Sequence, residues 1–108
     1  MSSLDHARLG LLVQRQGKWG QRCVLDPAWL AESRTPCPVN PQYGLLWWLN
    51  TGGAQFPGAP TTAYAARGAG SNAIVIDPEH DLLAVVRWID RASLPEFVRL
   101  LMASVAVD

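Results

Sequence analysis

Charge is scarce in this chain, and lysine scarcer still. Asp, Glu, Lys and Arg together make up 17% of 108 residues, nine of each sign, and Lys18 is the sole lysine. Arg8, Arg15, Arg22 and Arg34 are dispersed rather than clustered, so there is no phosphate-binding footprint and no nucleic-acid partner is expected. Low charge combined with 49% hydrophobic residues also excludes disorder of the high-charge, low-hydropathy kind. Long apolar runs are missing as well. The longest, Gly44 to Leu49, falls far short of the roughly 20 residues a spanning helix needs, so no membrane span is expected. The two cysteines, Cys23 and Cys37, stand in polar or proline-rich surroundings, match no metal-ligand spacing and force no disulfide; they read as ordinary thiols. No metal and no cofactor are expected. The opening MSSLDHARLG has no basic stretch followed by an apolar one, so it carries no secretory signal, and the compartment stays open between cytoplasm and periplasm.

What is present suffices for one domain with a core. Ser2 and Ser3 precede LDHARLGLLVQRQ, whose leucines recur at three- and four-residue spacing before Gly17, which predicts a first helix with a left-handed stop. Asp26 followed by Pro27 is an N-cap with proline at the first helical position and predicts a short helix, Pro27 to Ser33. TPCPVNPQ is expected to run as an extended surface loop. Leu45 to Leu49 is continuously apolar, which predicts a core strand covered on both faces and ended by Asn50-Thr51-Gly52-Gly53. Ala54 to Thr62 reads as a loop long enough to form a functional rim. Ala73 to Ile76 and Leu82 to Ile89 predict an antiparallel hairpin turning at Asp77-Pro78. Ser93-Leu94-Pro95-Glu96 matches a capping box, and Phe97, Leu100, Leu101, Ser104 and Val105 share one face of the helix that follows. The pattern predicts a layered α+β arrangement.

Catalytic hardware is thin. His6 falls in a helix and His80 in a turn, and no Ser-His-Asp set emerges from spacing. Gly68-Ala69-Gly70 precedes a strand rather than a helix, which is the wrong order for a phosphate cradle. Glycines entering a buried strand instead let a ligand lie against the backbone. Tyr43, Trp47 and Trp48 read as core before they read as a stacking platform, His80 and Asp81 as a solvated turn, and Arg87 and Trp88 as packing or ion-pair residues of the last strand.

Four stretches in one order, LDHARLGLLVQRQGKW, PQYGLLWWLN, ARGAGSNAIVIDPEHDL and AVVRW, resemble the C-terminal part of the β-lactamase-related serine hydrolases, the group of class C β-lactamases, D-alanyl-D-alanine peptidases and certain esterases. The similarity runs from about Leu4 to Val107. It implies the C-terminal portion of a β-lactamase/transpeptidase-like fold, with residues 1 to 108 as a single partial domain. Members of that group attack with the serine of Ser-x-x-Lys, use Tyr-x-Asn as base and wall the groove with a Lys/His-Thr/x-Gly strand. Here Arg15 stands three residues before Lys18, so Ser-x-x-Lys does not occur. Leu45 and Ala66 stand two after the tyrosines, so Tyr-x-Asn does not occur either. A serine hydroxyl without its base is a poor nucleophile, so no catalytic residue is assigned. Only the third motif can be placed, over Ala66-Arg67-Gly68, with Ala66 where the usual cation stands.

The resemblance therefore assigns substrate binding to Arg67, Gly68 and Ala69: Arg67 offers a cation to a substrate carboxylate when it faces the groove, and Ala69 would contribute an oxyanion amide. The competing reading of Arg67 is a solvent-facing arginine. Two functions follow. One is a hydrolase fragment, inactive alone, whose intact form takes small acyl compounds and whose exposed sheet edge promotes self-association. The other is a stand-alone, non-catalytic module that binds a ligand or partner.

Overall fold

A computed structural model describes residues 1–105. Ala106 and Val107, where the resemblance ends, lie outside the described residues. Helix α1, Ser3–Gln14, begins as its sequence requires: the Ser2 hydroxyl accepts from the Asp5 amide at 3.1 Å while the Asp5 carboxylate accepts from the Ser2 amide at 3.0 Å. It ends at Gln14, and Gln16, with a φ of 61°, makes the left-handed reversal that brings the Gly17 amide to the Leu12 carbonyl at 2.8 Å, so the stop falls one residue before the expected Gly17. A two-residue hairpin follows, β1 Lys18–Trp19 with β2 Arg22–Cys23. It was not expected, because strands this short carry no periodicity. Helix α2, Pro27–Ser33, is capped by the Asp26 side chain on the Ala28 amide at 2.9 Å, as the Asp-Pro pair predicts.

The apolar run behaves differently. Only Trp48–Leu49 is strand, β3, and the preceding leucines form a tight turn: the Gly44 amide donates to the Trp47 carbonyl, and Leu46 has a φ of 71° and is 81% exposed. The expected two-sided core strand from Leu45 is thus a reversal of the chain. Continuous hydrophobicity does not distinguish a buried strand from an apolar turn when both lie beside aromatic neighbours.

The remaining strands, β4 Tyr64–Gly68, β5 Asn72–Asp77 and β6 Leu82–Val86, complete an antiparallel sheet in the order β3-β4-β5-β6. The β5–β6 hairpin is as expected, but its second strand ends at Val86, short of Ile89. Arg87 and Trp88 lie beyond it, and Trp88 takes a φ of 57° and is 71% exposed. Both sheet faces are covered. Ala65, Ala73 and Val75 pack with Phe56 and with Leu94, Val98 and Met102 of helix α3, Leu94–Val105. On the opposite face Tyr64, Ile74 and Ile76 pack with Val13 of α1, Leu30 of α2 and Leu49. The chain is an α+β fold with helices on both sides of an antiparallel sheet.

Two details of α3 differ from expectation. Ser93 Oγ lies 3.3 Å from Asp90 Oδ2, and the Glu96 carboxylate grips Arg99 at 2.6 and 2.8 Å, so neither side chain of the Ser-x-x-Glu signature serves the capping box. The inward stripe is Leu94, Val98 and Met102, with Phe97 and Leu101 of the expected face half-buried against it, while Leu100 and Ser104 are exposed. Among the described residues no helix is long and apolar enough to cross a membrane.

Candidate functional site

The geometry of interest begins at the incomplete partner of β4. Strand β3 pairs only Leu49 with Tyr64 and Trp48 with Ala65. Beyond Ala65 the chain of β3 has turned away at Leu46, so Ala66, Arg67 and Gly68 are paired to β5 on one side and open on the other. The Asn50 amide donates to the Ala63 carbonyl, which fixes the alternation along β4: the main-chain groups of Ala63, Ala65 and Arg67 point toward the β3 side. The Arg67 amide and carbonyl therefore face the open edge.

A cavity of about 410 Å³ lies at this edge, lined by Trp48, Gln55, Arg67, Gly68, Ala69, Gly70, Ser71 and Arg91. Arg67 is half-buried. Its Nη1 donates to Gln55 Oε1 at 3.2 Å, Gln55 Nε2 donates to Gln42 Oε1 at 2.8 Å, and the guanidinium sits 5.9 Å from the Trp48 ring centroid. Burial, and then the neighbouring charge of Arg91, push its pKa below the ordinary arginine value. Two arginines and, among the described residues, no acidic one in the lining make this an anion-attracting cavity. Arg91 was not foreseen, since it arrives from the 3₁₀ turn before α3 and no spacing connects it with Arg67.

The glycines divide in role. A side chain added at Gly68 would meet open space, whereas at Gly70 it would stand 2.1 Å from Cζ3 of Trp88. Gly68 thus leaves room for a ligand, while Gly70 makes room for the Trp88 indole. Ala69 precedes a tight turn at Gly70 and Ser71, with φ of 80° and 58°, and its carbonyl accepts from Asn72 Nδ2 at 2.8 Å. The Asn72 side chain also accepts from Arg87 Nε and the Trp88 amide, clamping β4, β5 and the end of β6 together.

Other candidates fall elsewhere. Trp48 lines the cavity and meets Tyr43 edge-on at 4.8 Å, while Trp47 packs edge-on to Tyr64 at 5.1 Å, so of the three aromatics only Trp48 reaches the site. His80 Nδ1 meets the fully buried Asp77 at 2.6 Å, and Asp81 pairs with Arg15 at 2.7 Å, both at the end of β5 remote from Arg67. His6 reaches a smaller cavity of about 230 Å³ with Ala66, Arg67 and Gly68. Arg87 donates to the Met1 carbonyl at 3.1 Å and to Asn72 Oδ1, and among the described residues it meets no carboxylate. Cys23 and Cys37 are free.

No protein-family model and no curated protein matches the chain. Among solved structures it is similar to a Bacillus anthracis protein provisionally assigned as a 6-aminohexanoate-dimer hydrolase, with a TM-score of 0.70 and 16% sequence identity over 95% of this chain and 28% of that one. The likeness is one of fold, to part of a β-lactamase-fold hydrolase, and the chain spans little more than a quarter of that protein.

Proposed function

We propose that this chain carries the substrate-facing wall of a β-lactamase-like serine acyl hydrolase, with Arg67, Gly68 and Ala69 as its binding residues and the nucleophile outside this sequence. The observation that carries the reading is the open edge of β4, where a paired strand ends at Ala65 and a two-arginine cavity begins. In this reading a carboxylate-bearing acyl substrate, a β-lactam, D-alanyl peptide or ester, lies along the edge. Its carboxylate is held by Arg67 and Arg91, and the Ala69 amide donates to the oxygen on which negative charge develops. Gly68 leaves the space the substrate backbone takes. Neither Ser-x-x-Lys nor Tyr-x-Asn occurs, so the chain alone turns nothing over.

The second reading, a stand-alone binding module, is favoured by one observation: both faces of the sheet are covered by the chain's own helices, and Ala65, Ile76 and Val98 are inaccessible. The two readings share the binding site and differ in whether a front half exists.

Benzylpenicillin, followed by ligand-detected NMR and intact-mass spectrometry, tests the proposal. Reversible binding is expected, weakened about tenfold, or ~1.4 kcal/mol, by Arg67→Gln, with no mass adduct. A covalent adduct on a serine would overturn the missing-nucleophile argument. Binding indifferent to Arg67→Gln would overturn the assignment of the wall.

A further inference from the structure

We propose that a second small-molecule site, for a monocarboxylate with a short apolar body, lies at the other end of β4, in the cavity where Arg34 meets Tyr64. This cavity is also about 410 Å³, and Leu49, Pro36 and Pro78 give it apolar walls. Among the described residues Arg34 is the sole charged one in the lining, so its positive charge meets no acidic partner there. Glu32, two residues before Arg34, is exposed and outside the lining, and Asp77, beside Pro78, is fully buried and already committed: one oxygen meets His80 Nδ1 at 2.6 Å and the other accepts from the Glu79 amide at 3.0 Å.

The polar groups have capacity to spare. Arg34 Nη1 donates to Tyr64 Oη at 2.9 Å, and no other acceptor among the described residues meets this guanidinium, which has five N–H groups. Tyr64 is 2% exposed, yet lines the cavity. Its oxygen accepts from Arg34, and its own hydrogen meets no protein acceptor among the described residues. Burial raises the phenol above its ordinary pKa, against the opposing pull of Arg34, so the hydroxyl keeps that hydrogen. A cationic fork and a neutral O–H donor side by side, at the wall of an apolar cavity, match the two oxygens of one carboxylate. An alcohol or amide would leave the arginine unpaired, and a phosphate would bring more charge than one arginine offsets. The site stands apart from the Arg67 cavity, since Tyr64 begins the strand that Gly68 ends.

Butyrate is the probe and 1-butanol its neutral counterpart, each titrated into the full chain with backbone amide NMR as readout. Butyrate is expected to shift signals of Arg34, Leu49 and Tyr64 saturably. Arg34→Gln should weaken it about tenfold and Tyr64→Phe, which preserves the ring packing, about threefold; Arg67→Gln should leave it unchanged. Saturable binding that survives Tyr64→Phe and Arg34→Gln in folded protein would overturn the proposal. So would equal binding of 1-butanol, the absence of saturable shifts at millimolar butyrate, or shifts that follow Arg67 instead. The last result would leave the wall assignment standing while removing the second site.

Discussion

Arg67 is held where burial and the charge of Arg91 both oppose its own, and an incoming anion relieves both. That is the residue-scale reason to expect Arg67→Gln to weaken a carboxylate ligand while sparing the fold, since only one hydrogen bond, to Gln55, is lost with it. Asn50 is the opposite case. It is fully buried, donates from Nδ2 to the carbonyls of Phe56, Ala59 and Pro60, and accepts from the Phe56 amide at 2.7 Å. Asn50→Ala would strand those groups, and urea denaturation is expected to show a loss of about 3 kcal/mol. Tyr64 sets an alkaline limit. Its folded pKa is raised above 10.0, so the neutral phenol contributes its stabilisation fully below pH 10.0 and loses it as the pH rises through the folded value. Denaturation followed against pH should therefore show a decline above pH 10.0 that Tyr64→Phe flattens.

The elements divide by how local their causes are. Helix α1 is fixed within four residues by Ser2 and Asp5, and α2 by Asp26 and Pro27, so both starts could be read from the sequence alone. Ser2→Ala should cost about 1 kcal/mol in chemical denaturation. The seating of α1 on the sheet was not legible: a side chain at Gly10 would stand 2.5 Å from Leu83 Cδ1 and 2.8 Å from Ile74 Cγ2, a proximity only the assembled sheet creates. The same holds for Leu45 and Leu46, whose turn depends on where Trp48 pairs, and for Ser93 and Glu96, which have competing partners within three residues. At the site, the glycine loop and Arg67 were legible from motif order. Arg91, Gln55 and the placement of Trp48 were not, because the sheet edge brings them together from three separate segments.

At the scale of the molecule, sheet faces and sheet edges tell different stories. Both faces are buried, but β6 is a five-residue edge strand, Leu82-Leu83-Ala84-Val85-Val86, without a charge, a proline or a bulge. Such an edge invites pairing, and sedimentation velocity is expected to show concentration-dependent association that Val86→Lys reduces. The chain also spans 28% of the hydrolase whose fold it shares, and at the open edge of β4 a ligand meets open space beside Gly68. Chemical-shift mapping of the labelled chain with benzylpenicillin probes this most directly. The expected result is saturable shifts centred on Trp48, Gln55, Arg67 to Ser71 and Arg91, without covalent modification. Shifts confined to other surfaces, or none at millimolar ligand, would contradict it.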